Sequence, residues 1–241
     1  MPSKLNPVTD LRATWLALAL AAMPALAQPH RPAPSPPGCG ETLNSYGPFD
    51  YRTAHPSQRS IVENTHFTHG VETLTRGSTG AFASDIDYTL AVFPNHPRAI
   101  MSMERLVEKE KSDPPKGAGM TLECYYGRGM AYAPDDLVFR MFYVSYLTRR
   151  NRLEDARRFL DYVVEQAGDN PLTHFNAGML FFDLKDYDRA LAQAHRVMAM
   201  GMTRTELRDR LQSVGRWREP EPAAGASAPE AAASAASQTS P

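Results

Sequence analysis

The sequence predicts an all-α fold in which helical hairpins stack into a solenoid, and residues 171–201 give the main evidence. Apolar residues recur there at i, i+3, i+7 and i+10, as on one helix face, at Leu172, Phe175, Met179 and Phe182. A second helix-length stretch follows a short polar turn. Small residues stand where the two helices should touch, at Ala177, Gly178, Ala190 and Ala194. Because a lone hairpin cannot bury its apolar faces, similar neighbours are expected.

The phrase FNAGMLFFDLKDYDRAL, residues 175–191, resembles the consensus of the tetratricopeptide (TPR) repeat family. Repeats of that family are 34 residues long, and stepping back by that length from Ala190 reaches Ala156 and then Leu122. Pro94 and Pro134 mark unit ends, with the loop KSDPPKGAG inserted between them. The resemblance therefore implies a repeat region at 63–204, with units at 63–96, 97–136, 137–170 and 171–204.

A second resemblance covers the chain from Cys39 to about Trp217. Segments such as CGETLNSYGPFDYR, VENTHFTHGVETLTRG and LECYYGRGMAYAPDD are similar to a group of small exported proteobacterial TPR proteins. This resemblance implies export and the repeat fold. It implies no activity and no cofactor.

The first 27 residues have the pattern of a secretory signal peptide. Lys4 and Arg12 precede the apolar run WLALALAAM, and Ala25-Leu26-Ala27 is a small-x-small cleavage site. The alternative is an uncleaved anchor, but the apolar stretch 15–26 falls short of the roughly 20 residues that a spanning helix needs. Residues 1–27 are thus expected to be removed. The mature protein is then periplasmic or secreted, with no membrane span.

The 241 residues carry 26 Lys plus Arg and 27 Asp plus Glu, a formal net charge of −1. This balance does not favour a nucleic acid as the partner. Cys39 and Cys124 form an even pair in an exported chain, so a disulfide between them is expected. Two buried free thiols remain the alternative.

The flanks of the repeat region have distinct compositions. Residues 28–38 are proline-rich and predict an extended leader, whereas 39–62 predict an irregular N-terminal cap in which Tyr46, Phe49 and Tyr51 cover the first repeat. Residues 205–218 predict a polar-faced capping helix anchored by Trp217. The tail at 219–241 is rich in Ala, Pro, Ser and Glu, and is expected to be disordered.

The strongest candidate for chemistry is a run of acidic and histidine side chains. Glu63, His66 and His69 could together hold a divalent ion, although the spacing is not that of HExxH. The alternative is polar packing, which is also the interpretation of His174 and His195. The Gly-rich stretch 77–80 lacks a following Lys and is interpreted as a turn. No nucleophile or nucleotide motif accompanies these residues, so we expect no enzyme activity and no cofactor.

The resemblance to TPR proteins implies a concave surface, lined by the first helix of each unit, that holds a peptide. Projected onto this chain, the surface combines apolar anchors with arginines, which suits an apolar peptide carrying carboxylates. The alternative is that the apolar members fill the repeat core. The candidates are Phe67, Arg98, Met101, Arg105, Met141, Arg149, Phe175, Met179 and Phe182.

Three functions are consistent with the sequence. The favoured one is an exported, non-enzymatic adaptor that binds a protein or peptide of the cell envelope. The second is a small periplasmic metal-binding protein or enzyme that uses Glu63, His66 and His69. The third is a structural subunit of an envelope complex, joined through the aromatic segment that precedes the repeats.

Overall fold

The computed structural model describes residues 35–40 and 46–220, all of which lie in one compact unit. Every regular element among these residues is a helix, so the described part of the chain is all-α, as predicted. In chain order the helices are α1 Pro56–Thr65, α2 His69–Glu72, α3 Phe82–Val92, α4 Pro97–Glu110, α5 Leu122–Tyr132, α6 Leu137–Arg149, α7 Leu153–Gln166, α8 Pro171–Asp183, α9 Tyr187–Ala199 and α10 Glu206–Ser213.

Local capping explains where the later helices begin. Asn170 accepts hydrogen bonds from the backbone N–H groups of Leu172 and Thr173, and Pro171 fills the first turn of α8, where a missing N–H costs nothing. Asp136 caps α6 and Asp186 caps α9 in the same way, each through its side chain. These caps fix the residues at which α6, α8 and α9 begin.

Left-handed residues end the helices. Asn151 (φ 58°) follows α6 and Lys185 (φ 58°) follows α8, and each permits a tight turn into the next helix. Gly168 (φ 55°) and Gly201 (φ 81°) stand just beyond α7 and α9 in the same left-handed conformation. The non-glycine residues adopt a conformation that L-amino acids disfavour, so the surrounding hairpin must hold them.

The helices pack as adjacent pairs. α6 packs on α7 and α8 on α9, and the first helices of successive pairs also touch, α4 with α6 and α6 with α8. α10 covers the last pair by packing on α8 and α9. One continuous apolar core runs from Phe67 to Leu211, and a smaller cluster lies around Val62 and Phe93.

The N-terminal part differs from the sequence-based expectation. The segment 39–62, predicted to be irregular, contains most of α1, and the first helix of the unit at 63–96 is split into the end of α1 and the single turn α2. α1 escaped prediction because only Val62 is buried along it and because its cap is His55, a residue outside the usual capping set. The predicted signal peptide at 1–27 and all but the first two residues of the predicted tail lie outside the described residues.

Candidate functional site

An apolar groove lies between α6 and α8 and encloses about 330 Å³. Its walls are Val138, Met141, Phe142 and Ser145 from α6, with Asn176, Met179 and Leu180 from α8. Val138 is 52% exposed, which leaves a large apolar side chain in water at the edge of the groove. An apolar surface with a few polar groups is the usual composition of a ligand site.

The polar groups of this groove have unused hydrogen-bonding capacity. Within residues 35–40 and 46–220, the side chains of Ser145 and Asn176 make no hydrogen bond, although both are half-buried. An amide offers donors and an acceptor, and a hydroxyl offers one donor and two lone pairs. Together they can bind the backbone N–H and C=O groups of an extended or helical segment.

Only two of the nine groove candidates from the sequence line this groove, Met141 and Met179. Phe67 is 3% exposed and packs edge-on against His96, and Phe175 is also buried in the core. Phe182 is half-buried beneath Tyr187. For these three phenylalanines the structure corrects the prediction, because their apolar periodicity serves core packing and not an open surface.

The cationic candidates on α4 are engaged by the chain itself. Arg98 donates to Glu63 at 3.0 Å and to Glu72 at 3.1 Å. Arg105 donates to the Glu72 carbonyl oxygen at 2.8 Å, and Met101 is half-buried against the core. None of the three lines the groove between α6 and α8.

Arg149 lines a different depression, about 500 Å³ in volume, between α4, α6 and the inserted loop. There it pairs with the carboxylate of Glu104, which also accepts a hydrogen bond from the Tyr126 hydroxyl at 3.1 Å. Burial, and secondly the charge of Glu104, raises the pKa of Tyr126. Tyr126 therefore remains a neutral donor, and Arg149, although 53% exposed, is already paired with Glu104.

Five groove residues were not among the sequence candidates: Val138, Phe142, Ser145, Asn176 and Leu180. Three of them lie three or four positions from Met141 or Met179 on the same helix, and Phe142 and Leu180 directly follow these two methionines, so a wider face would have included them. The sequence did contain a signal for this wider face, because the apolar residues Val138 and Leu172 occupy equivalent positions of successive units. In the structure both side chains are exposed.

The carboxylate of Glu63 is the centre of a polar cluster at the N-terminal end. It accepts hydrogen bonds from the Tyr51 hydroxyl at 2.8 Å, from Arg98 at 3.0 Å and from His96 Nε2 at 3.3 Å. His96 Nδ1 accepts from the Ala99 N–H, so Nε2 carries the proton. The hydrogen bond from His96, followed by those from Tyr51 and Arg98, lowers the pKa of Glu63 to about 2 against the opposing effect of burial.

His66 belongs to a second cluster, around Asp85. Its Nδ1 lies 3.4 Å from the Asp85 carboxylate, and its ring stacks on Tyr88. The backbone N–H groups of Ser78 and Thr79 donate to the same carboxylate at 2.8 and 3.1 Å. Burial would raise the pKa of Asp85, but hydrogen bonds, first from the Thr79 hydroxyl and then from these backbone N–H groups, outweigh it and lower the pKa. The Gly-rich stretch 77–80 thus wraps an anion of its own chain.

The proposed metal ligands do not converge. Glu63 faces His96, His66 faces Asp85, and His69 is exposed on α2. Across the described ranges, no group of three or more His, Cys, Asp or Glu side chains has a metal-binding arrangement. The structure therefore gives no support to a metal site at these three residues.

The aromatic N-terminal segment packs within the chain. Tyr51 lies edge-on to Phe93, and Phe49 packs between Tyr46 and Phe93. The buried Asn95 holds the segment in place by accepting from the Tyr51 N–H at 2.9 Å and donating to Asp50 at 2.8 Å. These contacts use the aromatic rings internally, which weakens the case for a structural subunit joined through them.

Two other histidines have packing roles. The buried His174 donates from Nε2 to the Gly168 carbonyl oxygen, while Nδ1 lies 2.8 Å from the Gln193 amide. His195 donates to the Arg218 carbonyl oxygen at 2.7 Å, and its ring is edge-on to Trp217. His195 and Trp217 together fasten the residues after α10 to α9.

Cys39 and Cys124 form the disulfide that the sequence predicts, and it closes a separation of 85 residues. Such a bond is typical of proteins outside the reducing cytoplasm. Over residues 35–40 and 46–220, none of the helices is both long and apolar enough to cross a bilayer.

Comparison of the chain with models of protein families, with curated proteins and with solved structures finds no match.

Proposed function

We propose that this protein is an exported TPR-like adaptor that binds a peptide segment of another cell-envelope protein in the groove between α6 and α8, without catalysis. The observation that carries the proposal is the groove itself, apolar along its length and provided with two uncommitted polar side chains, Ser145 and Asn176. Apolar walls give binding energy, and the polar groups orient a peptide backbone.

The arrangement of the helices supports this proposal. α6 and α8 are the first helices of consecutive hairpins, and they contact each other as well as their own partners. In stacked helical hairpins the first helices form one continuous face, which is the usual binding surface of such proteins. The exposed Val138 carries the apolar surface to the edge of the groove.

The arginines that could attract a ligand carboxylate are already in ion pairs, which favours an apolar ligand. Arg98 and Arg149 are paired with Glu63, Glu72 and Glu104, so binding a ligand carboxylate there would require breaking existing ion pairs. The preferred ligand is therefore a segment with two or more apolar side chains, and it does not need the carboxylates of the apolar peptide that the sequence suggests.

The experiment is a selection of peptides from a random displayed library on the purified chain spanning residues 28–241. Selected peptides are expected to share apolar anchors. Ser145→Arg and Asn176→Arg each place a bulky cation in the groove and should weaken binding by at least about tenfold, equivalent to about 1.4 kcal/mol. Ala192→Arg adds the same side chain at an exposed position of α9 and should leave binding unchanged.

Two outcomes contradict the proposal. One is that no peptide is enriched, and the other is that the enriched peptides bind Ser145→Arg, Asn176→Arg and Ala192→Arg with equal affinity.

Export is examined separately by expressing the full chain in a bacterium and sequencing the N-terminus of the mature product. A mature protein beginning at Gln28 is expected, whereas retention of Met1 in the cytoplasm would contradict export.

A further inference from the structure

A short segment of the chain, residues 35–40, lies across α5 and is referred to below as the cover. Cys39 in the cover is bonded to Cys124, in the first turn of α5. The Pro36 ring approaches α5 so closely that a Cβ on Gly127 would stand 2.5 Å from its Cγ. The cover therefore follows the face of α5 that carries Cys124 and Gly127.

Arg128 lies on this same face, one helical turn after Cys124. It is 2% exposed, and its Nε and one terminal nitrogen are buried without a hydrogen-bond partner among the described residues. The neighbouring carboxylate, Asp87, accepts a hydrogen bond from Tyr125 and forms no ion pair with Arg128. Burial lowers the pKa of Arg128 against the opposing charge of Asp87.

Burying a guanidinium without acceptors is unfavourable, because the hydration that it loses is not replaced. The unpaired guanidinium of Arg128 therefore favours a state in which the cover has moved away from α5. Among the described residues, no hydrogen bond from the cover to α5 holds the cover in place, and Ser35 Oγ is itself buried without a partner. The disulfide is the strong tie between the cover and α5.

The chain that follows the cover is fastened independently. The Phe49 N–H donates to the Val92 carbonyl oxygen at 2.8 Å, and the Tyr132 hydroxyl donates to the Pro48 carbonyl oxygen at 2.9 Å. Tyr51 is held by Asn95. Loss of the disulfide would thus free the cover while residues 48–51 remain docked.

We propose that the disulfide Cys39–Cys124 is a redox-controlled latch, whose reduction releases residues 35–40 from α5 and exposes Arg128. A dithiol supplies two electrons and two protons, the S–S bond breaks, Cys39 and Cys124 become thiols, and the dithiol becomes a disulfide. Reoxidation by a disulfide-bonded reagent restores the tie. Both cysteines are partly exposed, which gives the reductant access.

The first test compares modification of arginines by phenylglyoxal in the oxidised and the fully reduced full-length mature chain, with sites identified by mass spectrometry. Arg128 is expected to react at least about tenfold faster after reduction, since local opening controls its access. Arg158, whose side chain is 73% exposed, serves as the internal control and should react equally in both forms.

The second test asks whether the buried charge drives the opening. Once the chain is reduced, the rate at which iodoacetamide alkylates Cys124 reports release of the cover. Arg128→Met removes the unpaired guanidinium and should slow this alkylation at least about threefold, because the cover then stays in place more often. Arg158→Met, which changes an exposed arginine on α7, should alkylate at the wild-type rate.

Three results would overturn the proposal. The first is that Arg128 stays protected after complete reduction, and the second is that reduced Arg128→Met alkylates as fast as reduced wild type. Hydrogen exchange provides the third criterion, measured on the amides of α6 to α9. If reduction removes protection throughout those helices, the disulfide maintains the whole fold and is not a latch on the cover.

Discussion

Gly129 on α5 provides the sharpest test of the packing. It lies where α5 meets α6 and the loop between α3 and α4, and a Cβ built on it would stand 2.5 Å from the Pro94 carbonyl oxygen and 2.5 Å from Phe139 Cζ. Neither neighbour is a flexible side-chain end, because one is backbone and the other is a buried ring. Gly129→Ala must therefore push two helices and a loop apart.

The size of the effect follows from two opposing contributions. Overpacking costs typically about 1–3 kcal/mol, and the upper part of that range applies because backbone must move. Alanine in a helix interior recovers about 1 kcal/mol relative to glycine. The expected net loss is about 2 kcal/mol in the free energy of unfolding. For a chain of this size that corresponds to a decrease in Tm of about 4–8 °C.

The assay is thermal and urea unfolding followed by circular dichroism, with Gly178→Ala as the matched control. A Cβ at Gly178 would meet the end of the Leu207 side chain and would lie 3.0 Å from Gln193 Cβ. Because Leu207 can change rotamer, this variant should lose less than about 1 kcal/mol. The reasoning is refuted if Gly129→Ala is as stable as wild type, or if it loses less stability than Gly178→Ala.

Two further predictions concern the N-terminal clusters. The pKa of Glu63 is lowered to about 2, so its ionised form stabilises the fold above the unfolded pKa of about 4.5, and this contribution disappears as the pH falls toward 2. Glu63→Gln should cost about 2 kcal/mol at pH 7, a difference that shrinks over that window in pH-dependent urea unfolding. Asn95→Ala removes the acceptor of the Tyr51 N–H and donors to Asp50 and to the buried Asp136. It should cost about 2–4 kcal/mol in the same assay.

Exposed residues provide the controls for both. Glu154 is 91% exposed, and Glu154→Gln should leave the pH dependence of unfolding as in wild type. Asn64 donates to Ser60 on the surface of α1, and Asn64→Ala should cost less than about 0.5 kcal/mol. A Glu63→Gln variant whose stability difference stays constant between pH 7 and pH 2, or an Asn95→Ala variant as stable as Asn64→Ala, would contradict the geometry described for these clusters.

Much of the helical framework could be derived from local patterns. Asn170 with Pro171 marks the start of α8, and Gly168 and Gly201 mark the ends of α7 and α9, because capping depends on residues close in the chain. The pairing of Cys39 with Cys124 followed from their number and the expected compartment. The predictions of export, of a TPR-like repeat and of a peptide partner remain proposals.

The candidate site was less predictable, because helical periodicity identifies an apolar face without saying what covers it. Phe175 and Met141 are buried to a similar degree, at 5% and 6% exposed, yet only Met141 lines the groove. The cover is a similar case. Nothing in the sequence near Gly127 indicates that the ring of the distant Pro36 lies against it.

The all-α class, the starts and ends of the later hairpins and the disulfide partners could be predicted from the amino-acid sequence, since each depends on local capping or on residue counts. Three further features depend on tertiary contacts: Glu63 pairs with His96 and not with the other histidines, Asp85 occupies the Gly-rich turn, and the open groove lies between α6 and α8. These are contacts between residues distant in sequence. Their partners depend on how helices of similar apolar pattern stack, which no local pattern specifies.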